Sequence, residues 1–135
     1  MGHILKIFGI ALIIFLVIDM IWLGFIAKNF YREHLGHLLK TNVSWLPAVI
    51  FYLIFVAGLV FFVINPALVN DSFRYALFAG AFFGFITYAT YDLTNHATVK
   101  GWPLLVTLAD LAWGSFIASA TASISFWISK FLNIA

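Results

Sequence analysis

Cysteine is absent from the chain, and with it go disulfides, thiolate metal sites, iron–sulfur clusters and a cysteine nucleophile, while the redox compartment stays undetermined. Charge is nearly as scarce. Asp, Glu, Lys and Arg make up 9% of the 135 residues, against 64% hydrophobic and 19% aromatic side chains. Soluble domains carry about a quarter of their residues charged, so with a mean hydropathy of +1.08 this chain belongs in a bilayer. The seven Lys and Arg fall mostly between the apolar runs, as membrane-flanking residues do. A net charge of +2 marks no nucleic-acid surface, and no nucleic-acid partner is expected. No nucleotide-cradling loop, nucleophile motif or metal-ligand set stands out, so neither a metal nor a cofactor is expected.

What is there is apolar sequence in long continuous runs. Hydrocarbon is about 30 Å thick and takes roughly 20 apolar residues per helix, which leaves room for four crossings and no soluble domain. The spacing predicts an all-α bundle of four transmembrane helices over 4–27, 45–64, 73–95 and 103–128, one integral membrane domain filling 1–135. Runs that are continuous rather than alternating exclude a closed β-barrel. The first run follows a short basic start (His3, Lys6), yet it is too long for a signal peptide and contains Asp19, so it is expected to be a retained span. Pro47 and Pro103 suit first turns, and Asn65-Pro66 is expected to close the second helix.

Between the first two spans, 28–40 is predicted to be a short interfacial amphipathic helix. Tyr31, Leu35, Leu38 and Leu39 form its apolar stripe, while Lys28, Arg32, Glu33 and Lys40 take other faces. The second span has Tyr52 as its polar handle and is expected to be a lipid-facing wall. The third carries Gly80 and Gly84, and the fourth carries Gly114, Ala118 and Ala122. Small residues at this spacing let helices approach closely, within the bundle or in a homodimer. Lys28, Arg32, Lys40 and Lys100 would share one face of the membrane against Lys6, Arg74 and Lys130 on the other, which favours a cytoplasmic amphipathic connection by one charge.

Of five acidic residues, three lie inside spans: Asp19, Asp92 and Asp110. Each costs roughly 2.5 to 3.5 kcal/mol at a helix centre, so all three are expected to face the bundle interior. At 1.5 Å per residue, Asp19 and Asp110 lie about 10 to 12 Å below the same membrane face, with Asp92 shallower on that side. Tyr88, Asp92, Asn95 and His96 form one stripe of the third helix. Asp19 and Asp110 each precede a tryptophan by three residues, Trp22 and Trp113, whose indole N–H groups suit a carboxylate on the same or a neighbouring helix. The candidate catalytic residues are therefore Asp92, Asp110 and Asp19. The candidate binding residues are Trp22, Tyr88, Tyr91, Asn95, His96, Lys100 and Trp113. His34 and His37 lack a third ligand and are expected to be surface histidines.

Three segments carry a resemblance: Asp19-x-x-Trp22-x-Gly24, Tyr91-Asp92-x-Thr94-Asn95 leading to Gly101-Trp102-Pro103, and Asp110-x-x-Trp113-Gly114. With them the whole chain resembles the bacterial domain-of-unknown-function 2177 family of small four-span membrane proteins. The resemblance implies a multi-pass protein of the bacterial cytoplasmic (inner) membrane whose motif residues are these aspartates. It implies no activity. The family's pattern is expected to have an apolar residue where His96 stands, which counts against His96 as an essential catalyst.

Three uses of the carboxylates stay open: structural pairing, a binding or catalytic pocket for a lipid or other hydrophobic small molecule, and a proton pathway. The favoured expectation is a polar Asp-rich site in one leaflet that takes membrane lipids as its partners, with acid/base chemistry by an aspartate. The alternatives are a proton-coupled small transporter working as a homodimer, and an accessory subunit with purely structural aspartates. The sequence favours no named reaction.

Overall fold

A computed structural model of the protein describes residues 2–38 and 44–134, and these are helical in every regular element. Four helices are long and apolar enough to cross a membrane: Gly2–Ile26, Trp45–Val69, Phe73–Thr98 and Leu104–Phe131. The first is α1 (Gly2–Ile21) continued by a π-helical turn, Trp22–Ile26. After Ala27 comes the short α2 (Lys28–Leu35). Helical bonding stops there because Gly36, a poor helix former, follows. Residues 39 and 40, which complete the expected amphipathic segment, lie outside the described residues.

The second span corrects two expectations. Asn65-Pro66 does not close it: α3 (Trp45–Leu59) runs into a π-helical turn, Val60–Ile64, and then into α4 (Asn65–Val69). Proline lacks the N–H that an unbroken α-helix needs, and the wider turn just before it shifts the bonding register so that the chain stays helical. The helix ends only where Asn70 Nδ2 donates to the Pro66 carbonyl at 2.9 Å and Asp71 adopts φ 49°. Nor is this span merely a lipid-facing wall. Its Phe55, Val56, Leu59, Val63 and Ile64 are buried against Ile7, Ala11 and Phe15 of α1 and Ile117 of the fourth span. Its apolar composition fits both neighbours equally, so sequence did not separate lipid contact from core.

The third and fourth spans, α5 (Phe73–Thr98) and α6 (Leu104–Phe131), form the most intimate pair. On α5 the ridge Ala76, Gly80, Gly84 is buried, and on α6 Gly114, Ala118 and Ala122 are buried. A Cβ built on Gly84 would lie 1.9 Å from the Gly114 carbonyl oxygen and 2.7 Å from Ala118 Cβ. The small-residue ridges are therefore used inside the bundle, one against the other. Ser119 Oγ adds an interhelical hydrogen bond to the Leu77 carbonyl at 2.8 Å. Gly114 makes a second opening, since a Cβ there would meet the Tyr88 ring at 2.4 Å.

The connections fix the ends of the bundle. Gly101, at φ +79°, lets the α5–α6 turn pass so close to the end of α2 that a Cβ would stand 3.5 Å from His37 Nε2. The first and third connections therefore share one face. Lys130 and Asp71 pair at the other.

Gly84→Ala is expected to wedge α5 from α6 and to cost about 1 to 3 kcal/mol, as overpacking does. Gly9→Ala, whose Cβ would meet nothing within 4 Å, is expected to be neutral or mildly stabilising. Unfolding midpoints of the two variants in detergent check the contrast, and equal midpoints would contradict this packing.

Candidate functional site

On α1 the residues Ile7, Ala11, Phe15 and Asp19 are all buried, so the same face that packs the core delivers Asp19 to the interior, 5% exposed. The π-turn follows at once and brings Trp22 onto Trp113 of α6, rings stacked at 4.3 Å and 10°. The two Asp-x-x-Trp segments thus meet through their indoles. Around Asp19, in hydrogen-bonding reach, stand the Tyr52 hydroxyl of α3 and the Trp113 indole N–H. The Trp113 contact falls short of an aligned hydrogen bond, since its buried Nε1 has no partner among the described residues.

Asp110, 8% exposed on α6, is met from outside the spans. Tyr31 of α2 reaches in and donates its hydroxyl to the Asp110 carboxylate, and the Trp22 indole N–H donates to the same Tyr31 oxygen at 3.3 Å. This corrects the placement of Tyr31 in an apolar stripe with Leu35: the ring is partly buried, but the hydroxyl ends on an acid. Burial first, and the Asp110 carboxylate second, push the Tyr31 phenol well above its usual range. It therefore stays protonated and donating at any physiological pH.

Asp92 of α5 is fully buried, and neither of its oxygens has a hydrogen-bond partner among the described residues. Its acidic neighbour is the Asp110 carboxyl. Tyr88, one turn before Asp92, lies in the electrostatic reach of Asp19, Asp92 and Asp110 alike. Three helices thus bring their acids to one centre, and Tyr88 is its hub.

A hollow of about 340 Å³ opens beside this centre, bordered by Asp19, Trp22, Tyr31, Tyr52, Tyr88 and Trp113, with Phe51 and Tyr91 at its rim. Next to it runs an apolar groove of about 400 Å³ lined by Phe51, Thr87, Tyr88 and Tyr91. Phe51, Tyr88 and Tyr91 belong to both, so hollow and groove adjoin between α3 and α5. Tyr91 is 60% exposed, its ring edge-on to Trp102 at 5.9 Å.

Asp92 and Asp110 lie beside the hollow without lining it, and three further sequence candidates stand apart from it. Asn95 lies in hydrogen-bonding reach of Tyr91. His96 turns to the start of α6, where its Nδ1 lies 3.3 Å from Thr107 Oγ1, the same hydroxyl that accepts the Trp102 indole N–H at 3.1 Å. That clamp ties the α5–α6 turn and puts His96 in the loop's support. Lys100 is exposed in the turn itself and borders neither cavity. The stripe 88, 92, 95, 96 is too wide for all four residues to face one point, because successive members rotate around the helix. Sequence reasoning passed over Tyr31, Tyr52 and Phe51. The first two carried a signal, a hydroxyl on an otherwise apolar face, that an acid-bearing bundle has reason to use.

Tyr31→Phe leaves Asp110 without its donor and is expected to cost about 1 to 3 kcal/mol, with faster hydrogen exchange in α2. The folded protein holds this phenol protonated more tightly than the unfolded chain does. The contribution is therefore complete below the ordinary phenol pKa of about 10 and drains away as pH climbs above it. The stability gap between wild type and Tyr31→Phe, measured by unfolding at successive pH values, is expected to be flat through neutrality and to narrow in strong alkali.

No curated protein and no solved structure matches this chain. The family described as Predicted membrane protein (DUF2177) matches residues 4–127, a stretch that runs from the start of α1 to near the end of α6 and holds all three buried aspartates, both stacked tryptophans and the docked Tyr31. Over nearly its whole length, the chain is a multi-pass membrane protein belonging to the DUF2177 family.

Proposed function

We propose that this protein, in the bacterial cytoplasmic membrane, binds a hydrophobic molecule that carries a polar head, a membrane lipid or lipid-like metabolite, and that the aspartates act on or hold that head. One observation carries the reading: the acid-bordered hollow and the apolar groove share Phe51, Tyr88 and Tyr91. A ligand lying across that shared wall would place its head against Asp19 and Tyr52 and its tail along Thr87. Concave, mostly apolar sites with a few convergent polar groups are the usual form of small-molecule sites. Entry from the bilayer needs no aqueous channel. Asp92 and Asp110, neighbouring carboxyl groups beside the hollow, add groups suited to acid/base work.

A second reading, a proton-coupled small transporter, draws on a different feature, the line from Trp22 through Tyr31 to Asp110 and on to Asp92. It requires uptake into vesicles that depends on a pH gradient and disappears in Asp110→Asn.

Mass spectrometry of protein purified in mild detergent is expected to find a stoichiometric amphiphile. Thr87→Trp, which fills the groove, is expected to lose it while keeping the fold, and Asp92→Asn to retain it in altered amount. A wild-type protein that carries nothing, or a Thr87→Trp protein that carries the same load, would sink the binding reading.

A further inference from the structure

Asp19, Asp92 and Asp110 bring three carboxyl groups close together in the interior, yet among the described residues no Lys, Arg or His borders the hollow or the groove beside it. The basic and imidazole groups of α2 and of the α5–α6 turn are engaged elsewhere or point out. His34 bonds the Phe30 carbonyl at 2.9 Å, His96 engages Thr107, and Lys28, Arg32 and Lys100 are exposed. Charge buried in a membrane is normally met by a partner of opposite sign. Here Asp110 has a neutral phenol, Asp19 has a phenol and an indole in reach, and Asp92, wholly buried, has no hydrogen-bonding partner for either oxygen among the described residues. Nor do the described residues gather three His, Cys, Asp or Glu side chains in a form that holds a metal ion.

Resting on the amphiphile-binding reading above, we infer that the ligand head is a cationic amine or quaternary ammonium, received by Asp19 and the aromatic side chains around the hollow. The cation that the described side chains around the hollow do not provide is then supplied by the ligand. Tyr52, Tyr88, Tyr91 and Trp22 border the space, and aromatic rings attract alkylammonium groups through their electron-rich faces. A phosphate or sulfate head meets the opposite situation, since it approaches acids and phenolic oxygens with no basic group to receive it. A neutral hydroxyl head fits sterically but leaves the acids uncompensated. The tail lies along Phe51 and Thr87, as for any amphiphile in this groove.

Three probes of one chain length separate the cases: dodecyltrimethylammonium, dodecanol and dodecyl phosphate, titrated against the full-length protein in maltoside micelles, with the emission of Trp22 and Trp113 as the reporter. The trimethylammonium probe is expected to bind at least tenfold tighter than the alcohol, and the phosphate more weakly than either. Asp19→Asn is expected to lose most of the preference for the ammonium over the alcohol, a ratio in which partition into the micelle cancels. If Asp19→Asn fails to fold, the ranking of the three probes on the unsubstituted protein decides alone. Alcohol or phosphate binding as tight as ammonium overturns the cation while leaving the amphiphile site standing, provided Thr87→Trp abolishes it. Failure of all three probes to bind overturns both.

Discussion

A carboxyl group carried into hydrocarbon has to be met from inside the protein, because lipid offers nothing to solvate it. That constraint organises the half of this bundle on the α2 side in a way that no apolar contact does. Asp110 is met by a phenol from outside the spans, Asp19 has a phenol and an indole in reach from two neighbouring helices, and Asp92, beside Asp110, has no hydrogen-bond partner among the described residues. Each solution draws another element toward the same centre. The short α2 is tied down by Tyr31, α3 is turned so that Tyr52 faces inward, and the π-turn after α1 brings Trp22 over Trp113.

None of this fits without the close approach of α5 and α6. Gly84 and Gly114 remove the side chains that would hold the two backbones apart, and Gly114 also clears the space that the Tyr88 ring occupies. The opposite half of the bundle is a conventional apolar core centred on Phe15, Phe55, Leu59, Ile117 and Phe126. Dispersion and close packing hold helices together in lipid, where the hydrophobic effect between spans is weak. The buried acids thus gather in one half of the molecule, while the other half packs apolar side chains around the small and hydroxyl residues of α6.

Each half of the bundle holds one π-helical turn, Trp22–Ile26 in the polar half and Val60–Ile64 in the apolar one. The π-turn Trp22–Ile26 lies directly beneath α2 in the chain, and such turns cluster at functional sites because they redirect side chains at little cost to bonding. A hollow bordered by Asp19 and phenols adjoins a groove of aromatic and small side chains. Among the described residues α2 is the element beside it that lies outside the spans, and the Tyr31 hydroxyl ties it to Asp110.

Sequence alone determined a good deal. Long unbroken apolar runs leave the bilayer as the only solvent for the chain and helices as the only way to satisfy its backbone, so the four-helix architecture followed from composition and length. The acids had to point inward because outward placement is too costly, and the spacing of small residues was enough to foresee a close helix pair. Tertiary structure decided the rest. Periodicity places a residue on a face but does not say which helix that face meets, so Tyr52 looked toward lipid until α1 was set beside it. Tyr31 belonged to an apolar stripe until Asp110 stood below its hydroxyl. Proline at 66 promised a helix end, and a wider turn one step earlier removed the conflict. His96 shared a stripe with Asp92, yet a hydrogen bond to Thr107 across the turn claimed it. In each case a polar atom's partner lies far along the chain, and only the packed bundle brings the two within reach.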